Sequence, residues 1–200
     1  MIEISFTIIT PTVQRQSLIK TCQSIDEQTL VGRWQHIVII DCAEMNDELI
    51  FSLAHPNRLF LQCEKPHRNG GNSCRHDAWD HAANTYLWHV DDDNFVNGPR
   101  VLEEMASVIE DAGDAQWFLF PILRHGSRFY FDPPQPCYFD TGNAVVHNDF
   151  AQWPDIPDYA SDAVWLQQFK NLPYKAFPDF PPIMVMPCTS FGAGGGINGQ

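Results

Sequence analysis

Three consecutive aspartates, Asp91, Asp92 and Asp93, are the residues of this sequence whose types and spacing most directly indicate chemistry. They follow the apolar run 86–90, which we expect to be largely buried. A run of charges is usually a solvated surface, but carboxylates crowded beside a buried segment repel one another strongly because the dielectric constant there is low. A divalent cation would relieve that repulsion. Ligands that are all oxygen favour magnesium, calcium or manganese over zinc.

Polar residues also follow two other apolar runs. Thr10-Pro11-Thr12, with Arg15, ends the first run, and Asp41 ends the second. The carboxyl ends of parallel strands lie at one edge of a sheet, and open α/β sheets bind their ligands there. We therefore expect these residues and the three aspartates to converge.

Neither of the two common glycine-rich nucleotide motifs is present in the sequence. The first strand is not followed by G-x-G-x-x-G, and the chain contains no G-x-x-x-x-G-K-[ST]. The segment 70–75 (GGNSCR) does open a predicted helix, so its N–H groups and Arg75 suit phosphate oxygens. A flexible turn with a surface arginine is the alternative interpretation.

The elements that must position these residues alternate between strand and helix. Apolar runs predict strands at Ile4–Thr10, Trp34–Ile40, Arg58–Gln62, Thr85–Val90 and Gln116–Leu123. Helical spacing predicts helices at Gln14–Gln28, a stretch ending at Leu53, Ser73–Asn84, Gly98–Ala112 and Ser161–Asn171. This alternation predicts an α/β fold with a mainly parallel central sheet and helices on both faces. Frequent prolines after residue 130 predict a small irregular lobe.

Composition limits the partners that this chain can have. Its 200 residues are 44% hydrophobic, which predicts a folded domain, and its net charge of −13 excludes the basic field that nucleic-acid binding needs. Met1–Thr12 lacks a basic leader region, and no apolar run is long enough for a membrane span, so we expect neither a signal peptide nor a membrane span. The scattered cysteines are expected to be reduced thiols of a cytoplasmic protein. An anionic ligand would need local arginines, helix N-termini or a bound cation.

The six cysteines show no C-x-x-C spacing, which predicts reduced thiols. Cys63, Cys74, His76 and His81 match no common zinc spacing, so we expect them to be core and surface residues.

The order of these features along the chain resembles that of the GT-A fold of nucleotide-sugar glycosyltransferases, particularly those of family 2. The features are Thr10-Pro11-Thr12 with Arg15, then Asp41, then the segment 70–75 and then the aspartate run. The resemblance covers residues 4–170 or so. It implies a Rossmann-like GT-A domain over 1–191, with a nucleotide-binding half at 1–97, an acceptor-binding half at 98–191 and a flexible glycine-rich tail at 192–200.

The resemblance also implies roles for individual residues. Those expected to bind the nucleotide sugar are Thr10, Pro11, Thr12, Arg15, Asp41, Asn72, Arg75, Asp91 and Asp92. Asp93 is expected to bind the Mn²⁺ or Mg²⁺ that bridges the diphosphate. Related transferases often take another metal ligand from a histidine near the C-terminus, but the last histidine here is His147.

Two later segments complete the resemblance. The segment 139–144 (FDTGNA) resembles the acceptor-side turn of these enzymes, and 159–166 resembles the helix start that carries their catalytic base. Asp162 is the expected base, and the expected acceptor-binding residues here are Gly142, Asn143 and Asp158. Most aromatic residues of the second lobe are expected in the core, but Trp153, beside Pro154, is expected to lie exposed and to stack on an acceptor sugar. Helix capping is the alternative role for Asp158 and Asp162.

The sequence thus predicts a metal-dependent, inverting glycosyltransferase that uses a nucleoside-diphosphate sugar, with a UDP-sugar favoured, and a hydroxyl of a glycan or other acceptor. A nucleotidyltransferase is one alternative, but it would need a glycine-rich loop with a basic residue after the first strand. A non-catalytic, calcium-dependent carbohydrate-binding module is the other. It would explain the aspartates and aromatic residues without any nucleotide site.

Overall fold

Two β-sheets organise the computed structural model, which describes residues 3–41, 44–67, 69–134, 139–155 and 161–187, without the side chains of 161 and 162. The strands are β1 (Phe6–Thr12), β2 (Trp34–Ile40), β3 (Arg58–Gln62), β4 (Tyr86–His89), β5 (Phe95–Val96), β6 (Trp117–Leu119), β7 (Ile122–Arg124), β8 (Ser127–Phe129), β9 (Ala144–His147), β10 (Tyr174–Ala176) and β11 (Met184–Met186). The helices are α1 (Leu18–Asp26), α2 (Asp47–Ser52), α3 (Asn72–Trp79), α4 (Val101–Glu110) and α5 (Ser161–Phe169). None of these helices, within the described part of the chain, is long and apolar enough to cross a membrane.

The larger sheet has seven strands in the order β10-β6-β9-β4-β1-β2-β3. Its neighbours pair in parallel except at β9, which is antiparallel to both β4 and β6. The predicted α/β class with a mainly parallel sheet is therefore confirmed. The smaller sheet, in the order β5-β11-β7-β8, is mixed and was not predicted from the sequence.

The central strand β1 runs two residues further than predicted. Its pairing with β4 ends at Ile9, whereas its pairing with β2 continues to Thr12. Pro11 is tolerated because it lies beyond the last β4 pair, where an N–H donor is no longer needed. The extension carries Thr12 to the edge of the sheet.

The predicted strand Gln116–Leu123 is wrong as a single element. The chain leaves β6 after Leu119 and enters β7 at Ile122, in the other sheet. Pro121 lies at this break and lacks the N–H that a continuous ladder would use. The structure also shortens the predicted helices, since α1 begins only at Leu18 and α3 ends at Trp79.

The core forms on both faces of the larger sheet because side chains alternate along β1. Phe6 and Ile8 join a cluster that includes Leu102 of α4, whereas Ile9 joins a cluster that includes Trp165 of α5. The sheet is thus held rigidly between helices, and its carboxyl edge is left for ligands.

A buried polar network supports β1 and β2 beneath that edge. Arg58 Nε donates to His36 Nδ1 at 2.9 Å, so the His36 Nε2–H donates to Thr10 Oγ1 at 3.0 Å. Burial, followed by the charge of Arg58, lowers the pKa of His36 well below its usual value and keeps the ring neutral. Arg58 also donates to Asp26 at 2.5 Å and to the carbonyl of Cys22 at 3.1 Å.

Replacing the buried arginine of this network is expected to destabilise the fold strongly. Arg58→Leu leaves the His36 ring, backbone carbonyls and Asp26 without their donor, which we expect to cost about 3–5 kcal/mol of unfolding free energy in urea denaturation. Arg33→Leu is the control, because Arg33 forms only a surface pair with Glu3 at 3.8 Å and its loss is expected to cost less than about 1 kcal/mol. Equal costs for the two variants would contradict the prediction.

Candidate functional site

A cleft of about 500 Å³ opens at the carboxyl ends of β1, β2 and β4. Its lining residues are Pro11, Thr12, Val13, Arg15, Asp41, Gly70, Gly71, Asp91, Asp92 and Asp93. The three polar strand ends and the glycine pair therefore meet in one place, because parallel pairing aligns the ends of the strands.

Hydrogen bonds and ion pairs hold the aspartate run in a defined arrangement. Asp92 accepts a hydrogen bond from Thr12 Oγ1 at 2.6 Å, which ties β4 to the end of β1. One guanidinium nitrogen of Arg15 lies 3.4 Å from Asp92 Oδ1 and 3.6 Å from Asp93 Oδ2. The remaining aspartate of the run, Asp91, forms an ion pair with the guanidinium group of Arg75.

Burial works against the charges of these carboxylates. Desolvation raises the pKa of Asp92, and the Thr12 hydrogen bond and Arg15 offset this only partly. Desolvation, followed by the charge of Asp91, also raises the pKa of Asp93. A carboxyl with a raised pKa stabilises the fold in acid, below its ordinary pKa, and loses that contribution as the pH rises through the raised value. The ionised carboxylates therefore oppose folding at neutral pH and favour a cation.

Asp41 is positioned by both of its neighbours in the cleft. Its backbone N–H donates to the Thr12 carbonyl at 2.7 Å, and its Oδ1 accepts a hydrogen bond from the backbone N–H of His67 at 2.6 Å. Its side chain is nearly buried but still lines the cleft. The interaction with His67 was not predicted, because nothing in the local sequence pattern links residues 26 positions apart.

The glycine pair lets the backbone before α3 approach β1 closely. Gly71 has a φ of +83°, and a Cβ placed there would lie 2.6 Å from the ring carbons of Pro11. Next to it, Arg75 donates to the Gly70 carbonyl at 3.1 Å, and its guanidinium lies 4.9 Å from the ring centre of Trp153. Glycine at position 71 is therefore required both by its backbone conformation and by its contact with Pro11.

A second contributor that sequence analysis missed is Gln14. Its φ of +62° is unusual for a residue other than glycine, and its backbone N–H donates to Thr12 Oγ1 at 2.8 Å. Its side chain donates to the Glu44 carbonyl at 2.8 Å and accepts from the Asn46 N–H at 2.5 Å. Gln14 thus joins the loop after β1 to the loop after β2.

Two residues expected to contact the nucleotide, Thr10 and Asn72, are buried and do not line the cleft. Thr10 is fully buried and bonds to His36, so it supports β1 from below. Asn72 is also buried, and its amide donates to the Asn69 carbonyl at 2.8 Å. Neither residue is among the lining residues of the cleft.

The expectation that Trp153 lies exposed for stacking on an acceptor sugar is wrong. Its side chain is fully buried and packs against His89 and Trp165, with ring centres 4.8 and 5.0 Å away. Large aromatic side chains gain most by burial, and this tryptophan supports Arg75 from below.

Gly142 and Asn143 are also buried, and their described contacts are structural. The Gly142 carbonyl accepts from the indole N–H of Trp88 at 3.0 Å, and the Asn143 amide donates to the Phe120 carbonyl at 2.7 Å. Asp158 and the tail 192–200 lie outside the described residues. The backbone of Asp162 is in the first turn of α5, but its side chain is not described.

The charges of the cleft fit a divalent cation. Four aspartates are among its described lining residues: Asp41, Asp91, Asp92 and Asp93. Only two arginines, Arg15 and Arg75, form ion pairs with members of this set. All of these acidic ligands are hard oxygen donors, which suit Mg²⁺ or Mn²⁺. Asp93 fits a ligand role because its side chain is 27% exposed, whereas that of Asp92 is 7% exposed and already accepts the Thr12 hydroxyl.

Comparison with solved structures identifies the fold. TarS of S. aureus, a GT-A glycosyltransferase, superposes with a TM-score of 0.75 at 14% identity over 92% of this chain and 37% of its own. TarS 1-349 in complex with UDP-GlcNAc superposes with a TM-score of 0.73 at 15% identity, over 91% of this chain and 58% of that one. The mannosyltransferase PcManGT of Pyrobaculum calidifontis, in complex with GDP-Man and Mn²⁺, superposes with a TM-score of 0.68 at 15% identity. The match covers 94% of this chain and 58% of that one.

The predicted GT-A fold is therefore confirmed. The chain spans between 37% and 58% of the length of these three structures. No protein-family model matches the sequence, and no curated protein matches it significantly.

Substituting the glycine that contacts Pro11 tests the packing of the cleft wall. Gly71→Ala is expected to cost about 1–2 kcal/mol for its left-handed backbone and about 1–3 kcal/mol more for the contact with the ring, measured by urea denaturation. Gly113→Ala is the matched control, because Gly113 has a φ of +73° but no described atom within 4 Å of an added Cβ. We expect Gly71→Ala to be the more destabilising, and equal costs would show that the Pro11 contact is unimportant.

Proposed function

We propose that this chain is a metal-dependent, inverting glycosyltransferase that moves a sugar from a nucleoside-diphosphate sugar to an acceptor hydroxyl. The observation that carries the proposal is the excess of carboxylates over arginines at the carboxyl edge of a GT-A sheet. Such a cleft repels a diphosphate unless a divalent cation lies between them. The structural relatives with UDP-GlcNAc and with GDP-Man and Mn²⁺ support this class of ligand.

The proposed diphosphate site combines one cation with two arginines. Asp93 would hold Mn²⁺ or Mg²⁺, and the bound cation would supply Lewis-acid stabilisation of the diphosphate. Arg15 is 58% exposed, so it can leave Asp92 and Asp93 to contact phosphate oxygens. Arg75 is held by Asp91 and the Gly70 carbonyl and contributes a fixed positive charge.

The nucleoside would lie along the cleft wall formed by Pro11, Thr12 and Asp41. An ionised carboxylate is an acceptor only, so Asp41 can receive a base N–H or a ribose hydroxyl. Thr12 and Asp41 are fixed by the backbone hydrogen bond between them. The UDP-sugar is the favoured donor, in agreement with the UDP-GlcNAc complex of TarS 1-349.

Asp162, in the first turn of α5, is the proposed general base. Its carboxylate would take the proton of the acceptor hydroxyl while that oxygen bonds to the anomeric carbon. The bond from the anomeric carbon to the diphosphate oxygen breaks in the same in-line displacement, which inverts the anomeric configuration. The nucleoside diphosphate leaves with the electron pair of that bond.

Nucleotide titration distinguishes this function from the alternatives. We expect UDP to bind in isothermal titration calorimetry with Mn²⁺ present and to bind at least about tenfold more weakly without Mn²⁺ or to Asp93→Ala, because the diphosphate then meets uncompensated carboxylates. GDP and dTDP serve as comparisons for base selection. Asp149→Ala is the control, because this exposed aspartate is not among the lining residues of the cleft.

Two results would contradict the proposal. Failure of every nucleotide to bind, with retained calcium-dependent binding of free sugars, would indicate the carbohydrate-binding module. Release of diphosphate from a nucleoside triphosphate and a sugar phosphate would indicate the nucleotidyltransferase.

Replacing the proposed base separates donor binding from transfer. Asp162→Asn is expected to lower the transfer rate from a UDP-sugar to a panel of simple glycan acceptors by about 10²- to 10⁴-fold, because no group takes the acceptor proton. Its UDP affinity should stay within a factor of about two, since it lies outside the proposed diphosphate site. Asp155→Asn, an exposed neighbour, is the control. If the Asp162→Asn variant transferred the sugar at the wild-type rate, Asp162 would be excluded as the base.

A further inference from the structure

A second group of metal-binding side chains lies where β3 ends and α3 begins. Cys63 directly follows β3, and Cys74 lies in the first turn of α3. Their sulfur atoms are 3.0 Å apart, and both side chains are buried. The ligand atoms of Cys63, His67 and Asp77 also lie within 4.8 Å of one another. Cys63 is thus shared by two groups, one with the Cys74 thiol and the Asp41 carboxylate and one with the His67 imidazole and the Asp77 carboxylate.

The four side chains of Cys63, His67, Cys74 and Asp77 come from three segments of the local structure. Cys74 and Asp77 are three residues apart on α3, so they share one face of the helix. His67 belongs to the loop between β3 and α3, and its Nε2 lies 3.3 Å from Asp77 Oδ2. Cys63 is anchored by its backbone N–H, which donates to the Ile40 carbonyl at 3.1 Å.

The electrostatics of the cluster favour a cation. The Asp77 carboxylate lies within 4.8 Å of the Cys63 sulfur and gives this place a negative potential that would attract a positive ion. Asp41 adds to this potential, because its carboxylate oxygen lies within 4.8 Å of both sulfur atoms.

We propose that Cys63, His67, Cys74 and Asp77 bind a structural zinc ion. Zinc prefers four ligands of this kind, with Zn–S near about 2.3 Å and Zn–N near about 2.1 Å, so the ligand atoms must lie within roughly 4 Å of one another. The four ligand atoms do not all lie within 4.8 Å of one another in the structure, so zinc binding requires Cys74 to turn toward His67 and Asp77. It also requires the two sulfur atoms to separate from 3.0 Å to about 3.8 Å. Binding displaces one proton from each thiol and requires no oxidant. The two sulfur ligands select zinc over the Mg²⁺ or Mn²⁺ proposed for the cleft.

The zinc would stabilise one wall of the cleft. It would join the end of β3 to α3 and fix His67, whose backbone N–H donates to Asp41 at 2.6 Å. The same loop carries Gly70 and Gly71, which also line the cleft. The zinc site itself does not depend on the proposed function, because it can be measured without any nucleotide.

Metal analysis of the purified chain under reducing conditions tests the proposal. We expect about one zinc per chain by mass spectrometry of the metal content, and a thiolate-to-cobalt charge-transfer absorption after replacement by Co²⁺. His67→Ala and Asp77→Asn, which are less buried than the cysteines, are expected to weaken zinc binding at least about 10-fold. Removing the zinc is expected to lower the Tm.

The control variants separate this site from the cleft and from general thiol effects. Cys63→Ser and Cys74→Ser should lose the cobalt absorption, whereas Cys22→Ser, at another buried free cysteine, should keep it. Asp93→Asn should lose Mn²⁺-dependent nucleotide binding and keep its zinc. The wild-type measurement needs no variant to fold. A reduced wild-type chain without zinc or a cobalt absorption, or an isolated chain with a Cys63–Cys74 disulfide, would overturn the proposal.

Discussion

Repulsion among carboxylates at one edge of a parallel sheet is the constraint on which this structure depends. Parallel pairing of β1 with β2 and β4 brings Asp41 and the aspartate run to the same cleft. The fold tolerates them through the Thr12 hydroxyl and the guanidinium groups of Arg15 and Arg75. These contacts offset only part of the cost of burying the carboxylates next to one another, so the pKa values of Asp92 and Asp93 are raised, first by desolvation and then by the neighbouring aspartates. The chain thus retains carboxylates that destabilise it at neutral pH, as is common at functional sites.

The rest of the cleft is rigid because its loops are fixed to one another. Gln14 joins the loop after β1 to the loop after β2, and Gly71 packs directly on Pro11. His67 holds Asp41 through its backbone N–H. Each of these contacts joins a side chain to the backbone of another segment, so it fixes the rotamer of that side chain as well as the loop. A diphosphate and its cation would therefore meet groups that are already oriented, which lowers the entropic cost of binding.

The sequence was sufficient for the α/β class and for the ends of the strands, because apolar runs and the polar residues after them are local signals. It was insufficient where the answer depends on packing between distant segments. Trp153 was expected at the surface from its position beside a proline, but burial against His89 and Trp165 decides its role. The break at Pro121 could have been predicted from the missing N–H. The pairing of Cys63 with Cys74 could not, because the spacing matches no common motif and their contact depends on how α3 packs against the sheet.

The antiparallel strand β9 has a consequence for how such a chain can change in evolution or in the laboratory. It enters the larger sheet between β4 and β6, so residues from the second half of the chain lie next to the strand that precedes the aspartate run. A fragment that ended near residue 97 would expose the edge of β4, and exposed hydrophobic edges promote aggregation. The two halves are thus not separable modules. Exchanging the second half as a whole would unpair the centre of the sheet, so this half can change only through its surface loops.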